Sequence, residues 1–161
     1  MDRPPEVDAI EAAKAASTAQ ILFRCARLLD TYALSRLQTR TGQSVRPAHT
    51  RLFPHIDLAG TRPTEIARRV GISKQAVGQL VADLEAMGVV ERVPDPSDRR
   101  ARLVRFMVAD DGEHVLMHGL RLLREVEGEL ALELGPERWQ QLHGLLTDLL
   151  PLVEARAATV A

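Results

Sequence analysis

Amide, ammonium and small side chains recur between residues 74 and 82, and these residue types can recognise the edges of base pairs. Gln75 and Gln79 each carry an amide, which can bind adenine through two hydrogen bonds at once. Lys74 can reach guanine or a phosphate, and Ala76 can contact a thymine methyl group. Side chains three or four residues apart share one face of a helix. The stretch therefore predicts a helix that presents a base-reading face.

The surrounding residues predict two helices joined by a tight turn. Gly71 can adopt the positive φ that ends the first helix, and Ser73 has the side-chain oxygen that caps the second. Pro63 suits the first position of the first helix. Apolar residues at three- and four-residue spacing give the second helix a buried face: Val77, Leu80, Val81, Leu84 and Met87. The face that carries the glutamines then points outward.

Gly78 lies inside the second predicted helix, where glycine costs about 1 kcal/mol relative to alanine. Close approach to another backbone or to a base would explain it. Simple tolerance of a glycine would explain it equally well.

A charged β-hairpin is predicted after these helices. Residues 89–93 contain the β-branched side chains of a short strand, and residues 94–98, with two prolines, interrupt it. Residues 102–108 alternate as a returning strand, so the hairpin has a long charged tip. Clusters of charge are usually solvated surface, but a position one hairpin after a reading helix favours DNA contact. The arginines concerned are Arg99, Arg100, Arg102 and Arg105.

Asp98 stands beside Arg99 and Arg100 at this tip. Its carboxylate is predicted to hold one guanidinium in position while the other stays free. The alternative is a solvent-screened surface pair worth about 0–1 kcal/mol.

Together these motifs resemble the MarR family of winged helix-turn-helix transcription regulators. The matching stretches are residues 62–69, 73–77, 84–92 and 95–100. The resemblance implies a mainly α fold with a small β-hairpin wing. It also implies three regions, namely an N-terminal dimerisation helix in residues 1–40, a winged helix-turn-helix DNA-binding domain in residues 41–108, and C-terminal dimerisation helices in residues 109–161.

The resemblance also implies a homodimer bound to a pseudo-palindromic double-stranded DNA operator. Its reading helices would enter successive major grooves while the wings reach minor grooves, through either Arg99 or Arg100. The expected DNA-binding residues are Arg62, Thr64, Ser73, Lys74, Gln75, Ala76, Gly78, Gln79, Asp98, Arg99, Arg100 and Arg102. A repressor of this family would be released by a small aromatic or anionic effector, for which the candidate residues are Arg24, Arg27, Tyr32, His49 and His55.

The flanking segments are predicted to be helical. One long helix is expected from Glu6 to about Gln38, with a stripe along one face formed by Val7, Ile10, Ser17, Ile21, Leu28 and Tyr32. A short helix is expected to start at Pro47, with a bend or break at Pro54, and its apolar residues are Leu52, Phe53, Ile56 and Leu58. A helix from Ala109 to about Leu134 would begin with Asp110 and Asp111 at the favourable end of its dipole. Gly135 and Pro136 separate it from a last helix whose apolar stripe is Trp139, Leu142, Leu146, Leu149 and Val153.

An apolar stripe on the terminal helix is most simply buried against a second copy of the chain. The alternative is that both terminal arms fold back within one monomer, because the spacing of apolar residues cannot distinguish the two arrangements.

Composition limits the other classes of function. Aromatic residues make up 3% of the chain, which argues against single-strand binding by base stacking. The net charge is −1, but residues 62–105 contain nine basic and six acidic residues, whereas residues 106–161 contain four and ten. A single cysteine and a start that does not resemble a signal peptide favour a cytoplasmic protein.

Other chemistry has weaker support. Cys25 between Arg24 and Arg27 would suit a redox sensor, although a lone helical cysteine is usually a packing residue. His114 and His118 are spaced to share a metal, but two ligands do not complete a tetrahedral site. No catalytic or cofactor motif is present, so neither an enzyme nor a cofactor is expected. A protein–protein adaptor with the same fold would favour an acidic or apolar face at residues 74–79, which the sequence does not have.

Overall fold

The computed structural model describes residues 5–110 and 112–159, in which helices predominate and two strands form one antiparallel hairpin. The elements are α1 Pro5–Ala16, α2 Thr18–Thr41, α3 Pro47–Thr50, a 3-10 turn Phe53–His55, α4 Pro63–Val70, α5 Lys74–Ala86, β1 Val90–Asp95, β2 Asp98–Phe106, α6 Val115–Leu134 and α7 Pro136–Ala158. The chain divides into two compact units, Met1–Gly119 and Leu120–Ala161. The mainly α winged helix-turn-helix fold predicted from the sequence is confirmed.

The first unit has its core between α4, α5 and the hairpin. Ile66 from α4, Val77 from α5 and Val104 from β2 are fully buried. Phe106 packs its ring edge-on against Phe53, with the ring centroids 5.5 Å apart. The period of the helices and the alternation of β2 therefore bring their apolar side chains to one place.

The turn between α4 and α5 forms as predicted. Gly71 ends α4 with φ 75°, and its N–H donates to the Ala67 carbonyl. The Ser73 hydroxyl oxygen accepts the Ala76 N–H at 3.1 Å and caps α5. Because Val77, Val81 and Leu84 on α5 are buried in the core, the opposite face of α5 is fixed toward the outside.

The hairpin differs from the prediction because its strands are longer and its tip is shorter. β1 continues to Asp95, and only Pro96 and Ser97 lie between the strands. Pro94 is accommodated within β1, as proline can be on an edge strand, where a missing N–H need not cost a ladder bond. Val108, predicted to be the last residue of the returning strand, lies beyond the end of β2 and is 50% exposed.

The N-terminal segment is two helices and not the single long helix predicted from the apolar stripe. Ser17 takes an extended conformation with ψ 112° between α1 and α2. Its hydroxyl oxygen accepts the Gln20 N–H at 3.4 Å, so Ser17 caps α2 and does not continue α1. A serine placed in the stripe therefore marks a helix boundary.

The short helix after Pro47 ends at Thr50, and Pro54 lies at the start of a separate 3-10 turn. The predicted break is therefore confirmed. Leu52 and Ile56 are buried as expected, whereas Leu58 is 60% exposed.

Helix α6 begins at Val115, later than the predicted start at Ala109. The Ala109 N–H donates to the Glu113 carbonyl at 2.7 Å, and Gly112 has φ 82°. This turn uses the backbone groups that a helix would need, so Asp110 precedes α6, and Asp111 lies outside the described residues. The break at Gly135 and Pro136 is confirmed.

Apolar side chains on α2 and α7 remain outside the core. Within the chain α7 buries none of its described side chains, and Leu142, Leu146 and Leu149 are between 38% and 40% exposed. On α2, Phe23 is 68% exposed. None of the described helices is long and apolar enough to cross a bilayer.

Candidate nucleic-acid interface

The exposed face of α5 carries the predicted base-reading residues. Lys74, Gln75, Ala76 and Gln79 are all exposed, and Gly78 is half-buried among them. In the described part of the chain, a Cβ built on Gly78 would have no neighbour within 4 Å. The packing of the chain itself therefore does not require glycine at this position.

Arg62 and Thr64 are exposed at the start of α4, but the Arg62 side chain also has a structural role. Its Nε donates to an Asp95 oxygen at 2.6 Å, and its terminal nitrogen donates to the Ser97 hydroxyl at 3.3 Å. Arg62 therefore ties the first helix of the helix-turn-helix motif to the tip of the hairpin.

The contacts among Arg62, Asp95 and Ser97 form a brace between α4 and the hairpin. Asp95 is the central acceptor of this brace, and it was not among the predicted site residues. Its side chain is 5% exposed, and its second carboxylate oxygen accepts both the N–H and the hydroxyl of Ser97, at 2.8 and 2.6 Å. These bonds, followed by that from Arg62, lower the pKa of Asp95 to about 2. The sequence Asp-Pro-Ser is a recognisable turn signal, but the partner 33 residues away is not visible in it.

The predicted contact between Asp98 and an arginine guanidinium is wrong. The Asp98 carboxylate accepts the backbone N–H of Arg100 at 3.0 Å, and within the described part of the chain it forms no ion pair. A residue in this turn satisfies the nearest backbone donor first, because that bond orders no long side chain. The wing is braced instead by Asp95 and Arg62.

Arg99 and Arg100 lie where the strand register is irregular. Pro94 pairs with Arg102 and Asp95 pairs with Asp98, so three residues of β2 have no partner on β1. Both arginines are exposed, as is Arg102. The irregularity therefore presents two adjacent guanidinium groups at the end of the hairpin.

Acid stability provides a test of the brace. The pKa of Asp95 falls from its ordinary 3.8 to about 2, so the ionised carboxylate stabilises the fold above pH 4, and this contribution is lost as the pH falls toward 2. We expect Asp95→Asn to have a lower free energy of unfolding than the wild type at neutral pH. Between pH 4 and 2 the slope of its unfolding free energy against pH should be smaller than that of the wild type by up to about one proton. Urea unfolding across this range measures both effects.

Asp98→Asn is the matched control for that experiment, because its carboxylate is exposed and accepts a single backbone hydrogen bond. If Asp95→Asn kept the full pH dependence of the wild type, the brace would not stabilise the hairpin.

The five candidate effector residues are not brought into one pocket. Arg24 and Arg27 line an open groove of about 480 Å³ along α1 and α2, together with Lys14 and Phe23. The remaining three lie elsewhere: Tyr32 accepts a hydrogen bond from Arg36, His49 is buried, and His55 is in the 3-10 turn.

The alternative sites have little in the structure to support them. Cys25 is exposed on α2. His118 lies 3.5 Å from a Glu113 oxygen, and the described residues contain no group of three or more His, Cys, Asp or Glu side chains that could hold a metal ion.

Comparison with known proteins agrees with this geometry, because residues 44–101 match the sequence model of the MarR family. Over these residues the chain is similar to the MarR family, and the helix-turn-helix, β1 and the tip of the hairpin lie within them. The apo form of MarR from E. coli is similar in fold, with 21% identity and a TM-score of 0.64 over 84% of this chain and 98% of that one. No curated protein sequence matches at a significant level.

Two further solved structures share the MarR fold. MepR, a transcription regulator of the Staphylococcus aureus multidrug efflux pump MepA, has 16% identity and a TM-score of 0.59, covering 85% of this chain and 98% of that one. A transcriptional regulator from Thermotoga maritima has 26% identity and a TM-score of 0.54, covering 86% and 98%.

Proposed function

We propose that the protein is a cytoplasmic, homodimeric regulator that binds a pseudo-palindromic double-stranded DNA operator and represses transcription until a small effector releases it. It would act by binding alone, without a catalytic step or cofactor. Residues 74–79 would read bases in the major groove, and the hairpin arginines would reach the adjacent minor groove.

The main support for this proposal is that some basic side chains of the winged helix pair with carboxylates of the same chain, while others do not. Of the nine basic residues between 62 and 105, five form ion pairs with carboxylates of the same chain: Arg62, Arg68, Arg69, Arg92 and Arg105. The other four have no acidic partner among the described residues: Lys74, Arg99, Arg100 and Arg102. These four stand at the start of the reading helix and at the wing, where phosphates would lie.

The exposed apolar side chains of α2 and α7 support a homodimer. Leu142, Leu146, Leu149 and Val153 recur at helical spacing, although each is at least 38% exposed in the single chain. Contiguous apolar surface of this kind is usually covered by a partner. Since a two-fold dimer uses the same surface on both copies, one such helix per chain is enough to form it.

The groove along α1 and α2 is the best candidate for effector binding. Arg24 and Arg27 supply positive charge, and the Phe23 ring supplies an apolar surface, so an aromatic acid would match both. To release DNA, such an effector must bind one spacing of the two reading helices better than the other.

Selection of bound fragments from a pool of random duplexes tests the function directly. We expect a pseudo-palindrome whose half-sites lie about 10 base pairs apart, centre to centre. Affinity should fall steeply with salt, because each neutralised phosphate releases counterions and adds about 0.9 to the slope of log K against log salt. Salt-insensitive binding, or no duplex binding at low ionic strength, would instead indicate an adaptor.

A further inference from the structure

Asp83 links the reading helix to the short helix α3. Its Oδ1 accepts a hydrogen bond from Nε2 of Gln79 at 2.9 Å, one helical turn away on α5. Its Oδ2 accepts one from the Arg46 guanidinium at 2.5 Å and lies 3.3 Å from Nε2 of His49. A single carboxylate therefore connects an exposed base-reading side chain to two residues more than 30 positions earlier in the chain.

His49 contacts the Asp83 carboxylate from the buried side of α5. The ring is 1% exposed, and its Nδ1 accepts the backbone N–H of Arg46 at 3.1 Å. Burial lowers the pKa of His49, which keeps the ring neutral near pH 7. A neutral ring that accepts at Nδ1 carries its hydrogen at Nε2, so Nε2 can donate to the Asp83 oxygen 3.3 Å away and does not accept from the Arg46 nitrogen at 3.2 Å.

An ionised carboxylate fixes the orientation of the Gln79 amide. Such a carboxylate can only accept hydrogen bonds, so the amide must turn its NH₂ group toward Asp83. Without this partner, a glutamine amide can rotate by half a turn and exchange the positions of its oxygen and nitrogen. With it, the outward edge of Gln79 presents Oε1 and the second N–H in one fixed order.

This fixed order matches adenine. In the major groove adenine offers a donor at N6 beside an acceptor at N7, and a glutamine that presents an oxygen beside an N–H satisfies both. We propose that Asp83 is a specificity-determining positioning residue, which locks Gln79 in the orientation that selects adenine at one base pair of each half-site. The inference rests on the proposed function, since it concerns how the same reading helix discriminates sequence.

The test measures base preference and not affinity alone. Starting from a duplex selected by the wild type, all four base pairs are placed in turn at each position of the half-site. Gln79→Ala identifies the position that Gln79 reads. There the wild type is expected to prefer adenine by about 5- to 100-fold, the range of one good bidentate contact. In Asp83→Asn the single amide oxygen is expected to face the two donors Arg46 and His49, which leaves an NH₂ group toward Gln79. The ratio should then fall to about threefold or less, while other positions keep theirs.

A double-mutant cycle separates positioning from general damage. If Asp83 acts through Gln79, then Asp83→Asn should change base preference in the wild-type background and leave it unchanged in the Gln79→Ala background. Glu85→Gln is the matched control, because it removes a negative charge from the same helix at a side chain that pairs with Arg92. It should alter affinity for all duplexes alike.

The outcomes are distinguishable. If Asp83→Asn lost base preference at every position, the inference would be overturned while the proposed function stands. The same holds if Asp83→Asn kept the full wild-type preference at the position that Gln79 reads. A wild type that selects no duplex at all would overturn the proposed function and the inference with it. Should Asp83→Asn fail to give a cooperative melting transition, Asp83→Glu is tested instead. It keeps the charge but displaces the carboxylate by one methylene, so preference should relax at the same position, and unaltered preference would refute the proposal.

Discussion

Leu146→Asp combined with Leu149→Asp is expected to dissociate the proposed dimer and to weaken operator binding by about 10²- to 10⁴-fold. Both side chains are about 40% exposed in the single chain, so a charge there costs the monomer little. In the dimer they would be buried, and an unpaired buried carboxylate is strongly unfavourable. The loss of affinity follows because the second half-site would no longer be bound at high effective concentration.

Sedimentation at micromolar concentration and titration of duplexes with one or two half-sites measure this result. The substituted protein should bind a duplex with one half-site as tightly as a single wild-type subunit does. Its affinity should not increase when the duplex contains a second half-site. Thr147→Asp is the control for added charge, because it places one carboxylate on the polar side of α7 near His143 and Glu154. It is compared with Leu146→Asp alone as well as with the double variant. A wild type that sediments as a monomer would favour arms folded back within one chain.

The helix-turn-helix motif could be predicted from sequence because its determinants are local. Gly71 ends α4 with positive φ, and Ser73 caps α5 through a bond to a residue three positions later. The apolar spacing of α5 then fixes which face is buried, and with it the exposed position of Gln75 and Gln79. Each of these features depends on residues within about one helical turn.

The boundaries of helices and strands were predicted less well, because the spacing of apolar residues does not show which local hydrogen bonds compete with a regular element. Ser17 fits the periodic stripe, but its hydroxyl bonds to the backbone and separates α1 from α2. The backbone at Ala109 bonds to Glu113 and delays α6. Pro94 suggested the end of β1, but an edge strand tolerates it. In each case a local hydrogen bond or a strand edge decided against the prediction from pattern alone.

Two functional carboxylates were missed because their partners are distant in sequence. Asp95 is defined by Arg62, and Asp83 is defined by Arg46 and His49. In the sequence Asp83 and Asp95 look like any other acidic residues of a charged region. Only the three-dimensional contacts show that they hold other side chains in position. The same contacts show that Arg62 braces the wing in addition to any contact with DNA.

The wing arginines should contribute unequally to DNA binding. Arg99→Ala and Arg100→Ala are each expected to lower operator affinity, the larger loss being about 5- to 100-fold. Both side chains are exposed and have no acidic partner among the described residues, so their charge is available to the duplex. The Asp98 carboxylate accepts the backbone N–H of Arg100, whereas within the described part of the chain no side chain accepts the backbone N–H of Arg99. This difference gives the two guanidinium groups distinct starting positions.

Salt titration and variation of the flanking base pairs distinguish the two roles. Loss of a phosphate contact weakens binding to all sequences and lowers the salt slope by about one per contact. Loss of the arginine in the minor groove also reduces the preference for a narrow, A·T-rich flank, because that groove has enhanced negative potential. Arg105→Ala is the matched control on the same strand, since its charge is already paired with Glu91. If neither Arg99→Ala nor Arg100→Ala reduced affinity more than this control, the wing would lie outside the interface, and DNA binding would depend on α5 alone.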